Sequence, residues 1–166
     1  MATAHVLDRP VTGSVTRSGM SASPRPLNAD LIEFSATATA PFWARQHTRL
    51  FLSRCGFTRE AIETTQSVVS ELTTNAFNAT GSRSDARPTY SELMKSGIIG
   101  LSLRHFPNAL LIEVLDASAE PPVLVQPEAF SEHGRGVWLV AALSREWGYF
   151  AVGGGKCVYS ILGLAG

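Results

Sequence analysis

Between Thr58 and Gly81 the chain carries its longest regular signal, with Ile62, Val69, Leu72, Ala76 and Ala79 recurring at helical intervals. Thr58 suits an N-cap, since its hydroxyl can accept from a free N–H of the first turn, and Gly81 suits a stop, since it has no Cβ to clash. The stripe predicts one long amphipathic helix, which must lie on an apolar surface. The other apolar runs supply that surface. Gly97–His105 and Ala109–Asp116 are rich in β-formers and separated only by Phe106, Pro107 and Asn108, which predicts an antiparallel hairpin. Trp147–Val152 and Lys156–Leu162 flank Gly153, Gly154 and Gly155 and predict a second hairpin. Leu31–Ala36 predicts a first strand. Pro41–Cys55 predicts a helix ended by Gly56, with Trp43, Leu50, Phe51 and Cys55 on its buried side. Val137–Trp147 returns to helical spacing through Leu139, Val140 and Leu143. The order β, α, α, β, β, α, β, β, with hairpins in place of repeated crossovers, predicts an α+β fold whose mixed, mostly antiparallel sheet carries its helices on one face.

Three stretches lack periodicity. Met1–Asp30 is rich in Ser, Thr, Pro, Ala and Arg, a composition that predicts a disordered tail and leaves residues 31–166 as the folded domain. Ser82–Ser96 is polar, contains Pro88 and predicts a loop with a short helical turn around Ser91–Lys95. Ala117–Gly134 carries Pro121, Pro122 and Pro127 and predicts a long loop feeding the last helix. At 166 residues and 45% hydrophobic content the chain suits a single core.

Charge and spacing narrow the function. Lys and Arg total 14, as do Asp and Glu, so no positive field favours nucleic acid or anionic lipid. Every apolar run is broken well short of a membrane span, and the start lacks a basic region followed by an apolar one, so a cytoplasmic protein is expected. Cys55 and Cys157 are too few for a disulfide framework and predict reduced, buried thiols. His5, His47, His105 and His133 show no metal-binding spacing. Gly153–Lys156 invites comparison with a phosphate-binding P-loop, but Phe150 and Cys157 occupy positions where that motif needs Gly and Ser or Thr.

Glu71 and Asn75 are four apart on the predicted helix, hence on one face, with Asn75 at the edge of the apolar stripe and Glu71 one step further out. A carboxamide oxygen is a hard, neutral ligand suited to Mg²⁺, and a nearby carboxylate can take a proton from an attacking hydroxyl. Asp116 ends an apolar strand, where a carboxylate can accept from the exocyclic amine of adenine. Gly134, Arg135 and Gly136 precede the last helix, where backbone N–H groups favour anions. Alone, each has an ordinary reading as well: a solvated face, a turn-forming Asp, a hinge and a surface Arg.

Their order adds information. Glu-x3-Asn on a helix, Asp at a strand end and Gly-x-Gly before a helix together resemble the GHKL ATPase superfamily, and most closely the RsbW-like anti-sigma-factor serine/threonine kinases. Ser70–Ala79 (SELTTNAFNA) resembles the N box, Leu115–Pro122 (LDASAEPP) the G1 region, Gly134–Val140 (GRGVWLV) the G2 region, and Gly154–Leu162 (GGKCVYSIL) the closing hairpin. The resemblance implies a Bergerat-type two-layer α/β sandwich that binds ATP and Mg²⁺. Glu71 would then be the general base, Asn75 the Mg²⁺ ligand, Asp116 the adenine reader, and Gly134 and Gly136 part of a phosphate lid beside Arg135. Ser118 stands where the superfamily has the glycine of Asp-x-Gly, and Cys157 where a Thr often supports the adenine site. Asn78, Ala79 and Thr80 stand where relatives commonly carry Arg-His-Ala.

The implied activity is phosphorylation of an anti-sigma-factor antagonist by a protein that otherwise holds a sigma factor. A homodimer, through the first strand or first helix, also follows from the resemblance. The alternative is a module whose docking surface responds to ATP without phosphate transfer.

Overall fold

In the strand Ala109–Asp116 every side chain from Leu110 to Val114 is buried, so both faces of this strand are covered and the molecule is built around it. The computed structural model describes residues 5–6, 24–80, 97–122 and 135–164. Over these residues the elements run β1 (His5–Val6), β2 (Asn28–Ser35), α1 (Ala40–Arg54), α2 (Arg59–Thr80), β3 (Ile98–Phe106), β4 (Ala109–Asp116), α3 (Arg135–Leu143), β5 (Glu146–Val152) and β6 (Gly155–Gly163). The strands form one sheet in the order β1-β5-β6-β4-β3-β2. All neighbours are antiparallel except β1 and β5, which are parallel.

Alternation along the strands sorts the side chains into two layers. Ile99, Leu101 and Leu103 of β3, Leu110, Ile112 and Val114 of β4, Trp147 of β5, and Val158 and Leu162 of β6 join the helices in the main core. The helices contribute Ala44, Phe51 and Leu52 from α1, Val68, Val69, Leu72 and Ala76 from α2, and Val140 from α3. Fully burying one such aliphatic side chain stabilises the fold by about 1.5–3 kcal/mol. Helix α1 contacts β2 and β3, α2 contacts mainly β4, and α3 contacts β5, so the three helices lie side by side across one face. On the opposite face Leu111, Phe150, Cys157 and Tyr159 form a second buried cluster. The α+β arrangement, with a mostly antiparallel sheet, agrees with the sequence expectation.

Local chemistry explains the helix boundaries. Gly56, at φ +79°, ends α1 with two bonds from beyond the helix, Gly56 N–H to Ser53 O at 3.2 Å and Phe57 N–H to Leu52 O at 3.1 Å. Thr58 caps α2 by accepting from Ala61 N–H at 3.3 Å. No helix of the described residues is long and apolar enough to cross a membrane.

Several expectations need correction. Helix α1 buries Ala40, Pro41, Ala44, Thr48, Phe51 and Leu52, while Trp43 and Leu50, expected inside, are 56% and 57% exposed. The true stripe is made of small and hydroxyl residues that hydrophobicity alone does not mark. Thr48 is tolerated in it because its hydroxyl donates to Ala44 O at 2.8 Å. Strand β2 starts at Asn28, three residues before the expected start, and His5–Val6 pairs with β5. The rest of the expected tail before Pro24 lies outside the described residues, as do the expected loop and turn over Ser82–Ser96 and the loop from residue 123 to 134. The last helix, expected over Val137–Trp147, spans Arg135–Leu143. Ser144 hydrogen-bonds Ser160 at 2.7 Å and Arg145 N–H donates to Ile161 O at 2.8 Å, so the chain has joined the ladder by Glu146 and buries Trp147 from a strand.

The β5–β6 hairpin turns on two residues, Gly153 at φ +46° and Gly154 at φ +94°, the pair of positive angles that matches strand twist. Gly155 already belongs to β6, and a Cβ placed there would lie 2.0 Å from the carbonyl oxygen of Asp116. Gly155→Ala should therefore destabilise the protein by at least about 2 kcal/mol in urea unfolding, because the backbone must move. Gly100→Ala, whose Cβ would meet Leu115 at an ordinary 3.5 Å, should leave stability unchanged or slightly higher.

Candidate functional site

Asp116 is the last residue of β4 and has the parity of Leu110, Ile112 and Val114, so its carboxylate lies on the helix-covered face. Its cross-strand partner is Lys156, near the start of β6. The Lys156 ammonium donates to Asp116 Oδ1 at 2.8 Å, and the Ser118 N–H donates to the same oxygen at 2.8 Å. Lys156 Nζ also lies 3.4 Å from the Ser118 carbonyl oxygen, while the Ser118 hydroxyl accepts from Glu120 N–H at 3.2 Å. The Lys156 and Asp116 side chains are only 6% and 1% exposed. Two charges held out of water carry a large desolvation cost, which their short contact and the second donor on Oδ1 offset.

The ends of the elements show what surrounds this pair. Helix α2 finishes at Thr80, and a Cβ on Gly97 would lie 3.6 Å from it. Gly97 immediately precedes β3, whose Gly100 pairs with Leu115 beside Asp116. The C-terminal half of α2 therefore lies at the Asp116 end of the sheet. Its N-terminal turn lies at the other end, where Phe57, Thr58 and Ala61 share a cleft with His105, Leu143 and Leu162. Helix α3 runs the opposite way: Leu143 lines that far cleft, and nine residues at 1.5 Å each carry Arg135 back about 13 Å toward the Asp116 end.

The flanks of α2 are distinct. Gln66 donates to Arg45 O at 3.0 Å and Arg45 donates to Ser70 Oγ at 2.8 Å, which fixes the α1 flank. At 100° per residue, Glu71 and Asn75 lie about 100° and 140° round the helix from Ser70, away from α1. The other helical neighbour of α2 is α3. Glu71 and Asn75, both half-buried, thus border the groove between α2 and α3, and Asp116 and Lys156 lie at the same end of its floor.

Of the residues singled out in the sequence, Asp116 and Ser118 are joined by a hydrogen bond at the end of β4, and the C-terminal half of α2, which carries Glu71 and Asn75, lies at that end of the sheet, while Arg135 and Gly136 open α3. Gly134 lies outside the described residues. Cys157 does not join this group. It pairs with Leu115, has the opposite parity to Asp116, and is buried among Leu111, Phe150 and Tyr159 on the far face. A shift of one residue in a strand reverses the face. Lys156 holds the place beside Asp116, and the signal that could have found it was its parity with Val158, Ser160 and Leu162.

The far face has its own electrostatics. Burial pushes the Cys157 thiol up to about 12, the Glu113 charge adds to this, and Arg104, paired with Glu113, opposes it. Burial, then a hydrogen bond to Glu146 at 3.1 Å, raises the Tyr159 phenol to about 12. Burial also raises the Cys55 thiol above its ordinary value.

Comparison with known proteins adds family and fold. The family model of the histidine kinase-like ATPase domain matches residues 34–161. No curated protein matches the chain. Among solved structures, the chain is similar to the RsbU and RsbW domains of Rv1364c from Mycobacterium tuberculosis, with a TM-score of 0.55 and 18% identity over 84% of this chain. It spans 34% of that longer chain.

The thiolate is the nucleophile toward alkylating agents, so its scarcity protects Cys157. In native protein treated with iodoacetamide at pH 8, peptide mapping should show Cys55 modified first and Cys157 modified only after unfolding. Equal rates at the two thiols would contradict the burial described for β6.

Proposed function

The chain belongs to the histidine kinase-like ATPase family, and from that premise we propose that it is an Mg·ATP-dependent serine/threonine protein kinase of the anti-sigma-factor partner-switching type. What supports this reading is the Asp116–Ser118 turn at the end of β4, with the flank of α2 that carries Glu71 and Asn75 turned to α3 over the same end of the sheet. Asp116 faces that groove with a carboxylate able to accept from the amine of adenine. Asn75 presents a hard carboxamide oxygen one helical turn from Glu71, which fits a Mg²⁺ ligand. Bound there, Mg²⁺ would neutralise the β- and γ-phosphate oxygens. Glu71 orients the incoming hydroxyl and takes its proton. The backbone at Arg135 and Gly136 begins a helix, where N–H groups favour phosphate. The protein's part is positioning and charge placement.

The partners belong to the same reading: a sigma factor in one state and an anti-sigma-factor antagonist as phosphoacceptor. The RsbW domain named in the similar structure supports this choice. A homodimer is part of it too, with exposed Trp43 and Leu50 of α1 as the apolar residues a second copy would cover. His47 of the same helix lies 3.4 Å from Asp30 and so places that stripe beside the edge strand β2.

Removing a general base typically costs about 10²- to 10⁴-fold in rate. With γ-labelled ATP and a purified antagonist protein, Glu71→Gln should transfer label that much more slowly while binding Mg·ATP as tightly as wild type in calorimetry. Undiminished transfer would remove Glu71 from the role. Binding of ATP with no label on any Ser or Thr would turn the reading to an ATP-gated docking module. Asp116→Asn should weaken ATP and narrow its preference over GTP.

A further inference from the structure

The groove floor holds a feature that the nucleotide-binding reading does not need. Asp116 Oδ1 already accepts from two donors, the Lys156 ammonium and the Ser118 N–H, each at 2.8 Å. The Ser118 bond is local, formed within the turn that follows β4, and it can persist whatever else approaches. The Lys156 bond is different. Lys156 stands directly across the ladder from Asp116, on the same face, and its ammonium is 2.8 Å from the carboxylate with both side chains almost fully buried. An amine that comes down the groove to Asp116 meets this ammonium already in place.

We propose that Lys156 is a built-in competitor for the nucleobase, one that weakens adenine binding and sets how sharply the site discriminates between purines. The proposal rests on the ATP-binding reading above. Adenine offers Asp116 a neutral N–H donor, whereas Lys156 offers a charge-assisted one, and the second is the stronger bond to a carboxylate. Access of the base to Asp116 Oδ1 therefore requires the ammonium to leave. Its four-carbon stem lets the head swing toward solvent beside the Gly153–Gly154 turn, where a Cβ added to either glycine would meet nothing within 4 Å. A 6-oxopurine behaves in the opposite way. Its carbonyl oxygen is an acceptor, repelled by Asp116 alone but able to accept a hydrogen bond from Lys156. The ammonium thus penalises adenine and tolerates guanine, which compresses the difference between them.

The test is calorimetric titration of the full chain with Mg·ATP and Mg·GTP, using wild type, Lys156→Thr and Lys156→Met, with circular dichroism to establish folding. Lys156→Thr opens the space and should bind ATP about tenfold more tightly than wild type with no gain for GTP, the difference between a neutral and a charged competitor. Lys156→Met removes the charge but refills part of the space, so its gain should be smaller and in the same direction. Should the Thr variant fail to fold, the Met variant decides. A folded variant with ATP affinity equal to or below wild type overturns the proposal and leaves the ATP-binding reading standing. Absence of nucleotide binding in wild type and in every folded variant overturns both.

Discussion

The carbonyl of Asp116 and the Cα of Gly155 approach so closely that no side chain fits between the end of β4 and the start of β6. That contact holds the two strands in a single register. With Gly155 at the closing pair of the β5–β6 hairpin, Lys156 falls opposite Asp116 and Cys157 opposite Leu115. One residue of slippage would turn Lys156 and Asp116 to different faces and send Val158 and Leu162 out of the main core. Core packing and the chemistry of the groove therefore draw on one steric constraint.

The helices frame the candidate site by how they sit on the sheet. Helix α2 spends its apolar stripe on β4 and its Gln66–Ser70 flank on α1, which leaves the flank with Glu71 and Asn75 turned to α3. Both residues are half-buried there. Placing hydrophilic groups where an unbroken apolar contact would stabilise more is common at functional sites. The ion pair on the floor follows the same logic, since an apolar pair of similar size would avoid its desolvation cost.

Much of this was legible in the sequence. The period of α2, its Thr58 cap, the two hairpins and the Gly56 stop were all readable, because each rests on local rules of spacing and backbone freedom. The buried face of α1 was not, because Ala44 and Thr48 carry little hydrophobic signal while Trp43 and Leu50 carry a strong one. Tertiary position, not residue type, decided which side met the sheet. The end of α3 was misplaced because Trp147 fits a helical period as well as a strand, and only the bonds of Ser144 and Arg145 to β6 settle the matter. At the site, Glu71, Asn75 and Asp116 could be singled out by residue type and spacing. Lys156 was hidden by the glycines before it, which make a charged residue look like part of a turn.

Helix α3 passes into β5 with almost no intervening chain. The Ser144–Ser160 hydroxyl contact and the Arg145 N–H on Ile161 O tie its C-terminal end to β6, at the end of the sheet far from Asp116. Val140, in the middle of the helix, is fully buried in the main core. Covalent continuity, hydrogen bonds and a buried side chain thus make the seat of this helix a dependent of the β5–β6 pairing. A change of register in that hairpin would displace the helix along with the strands.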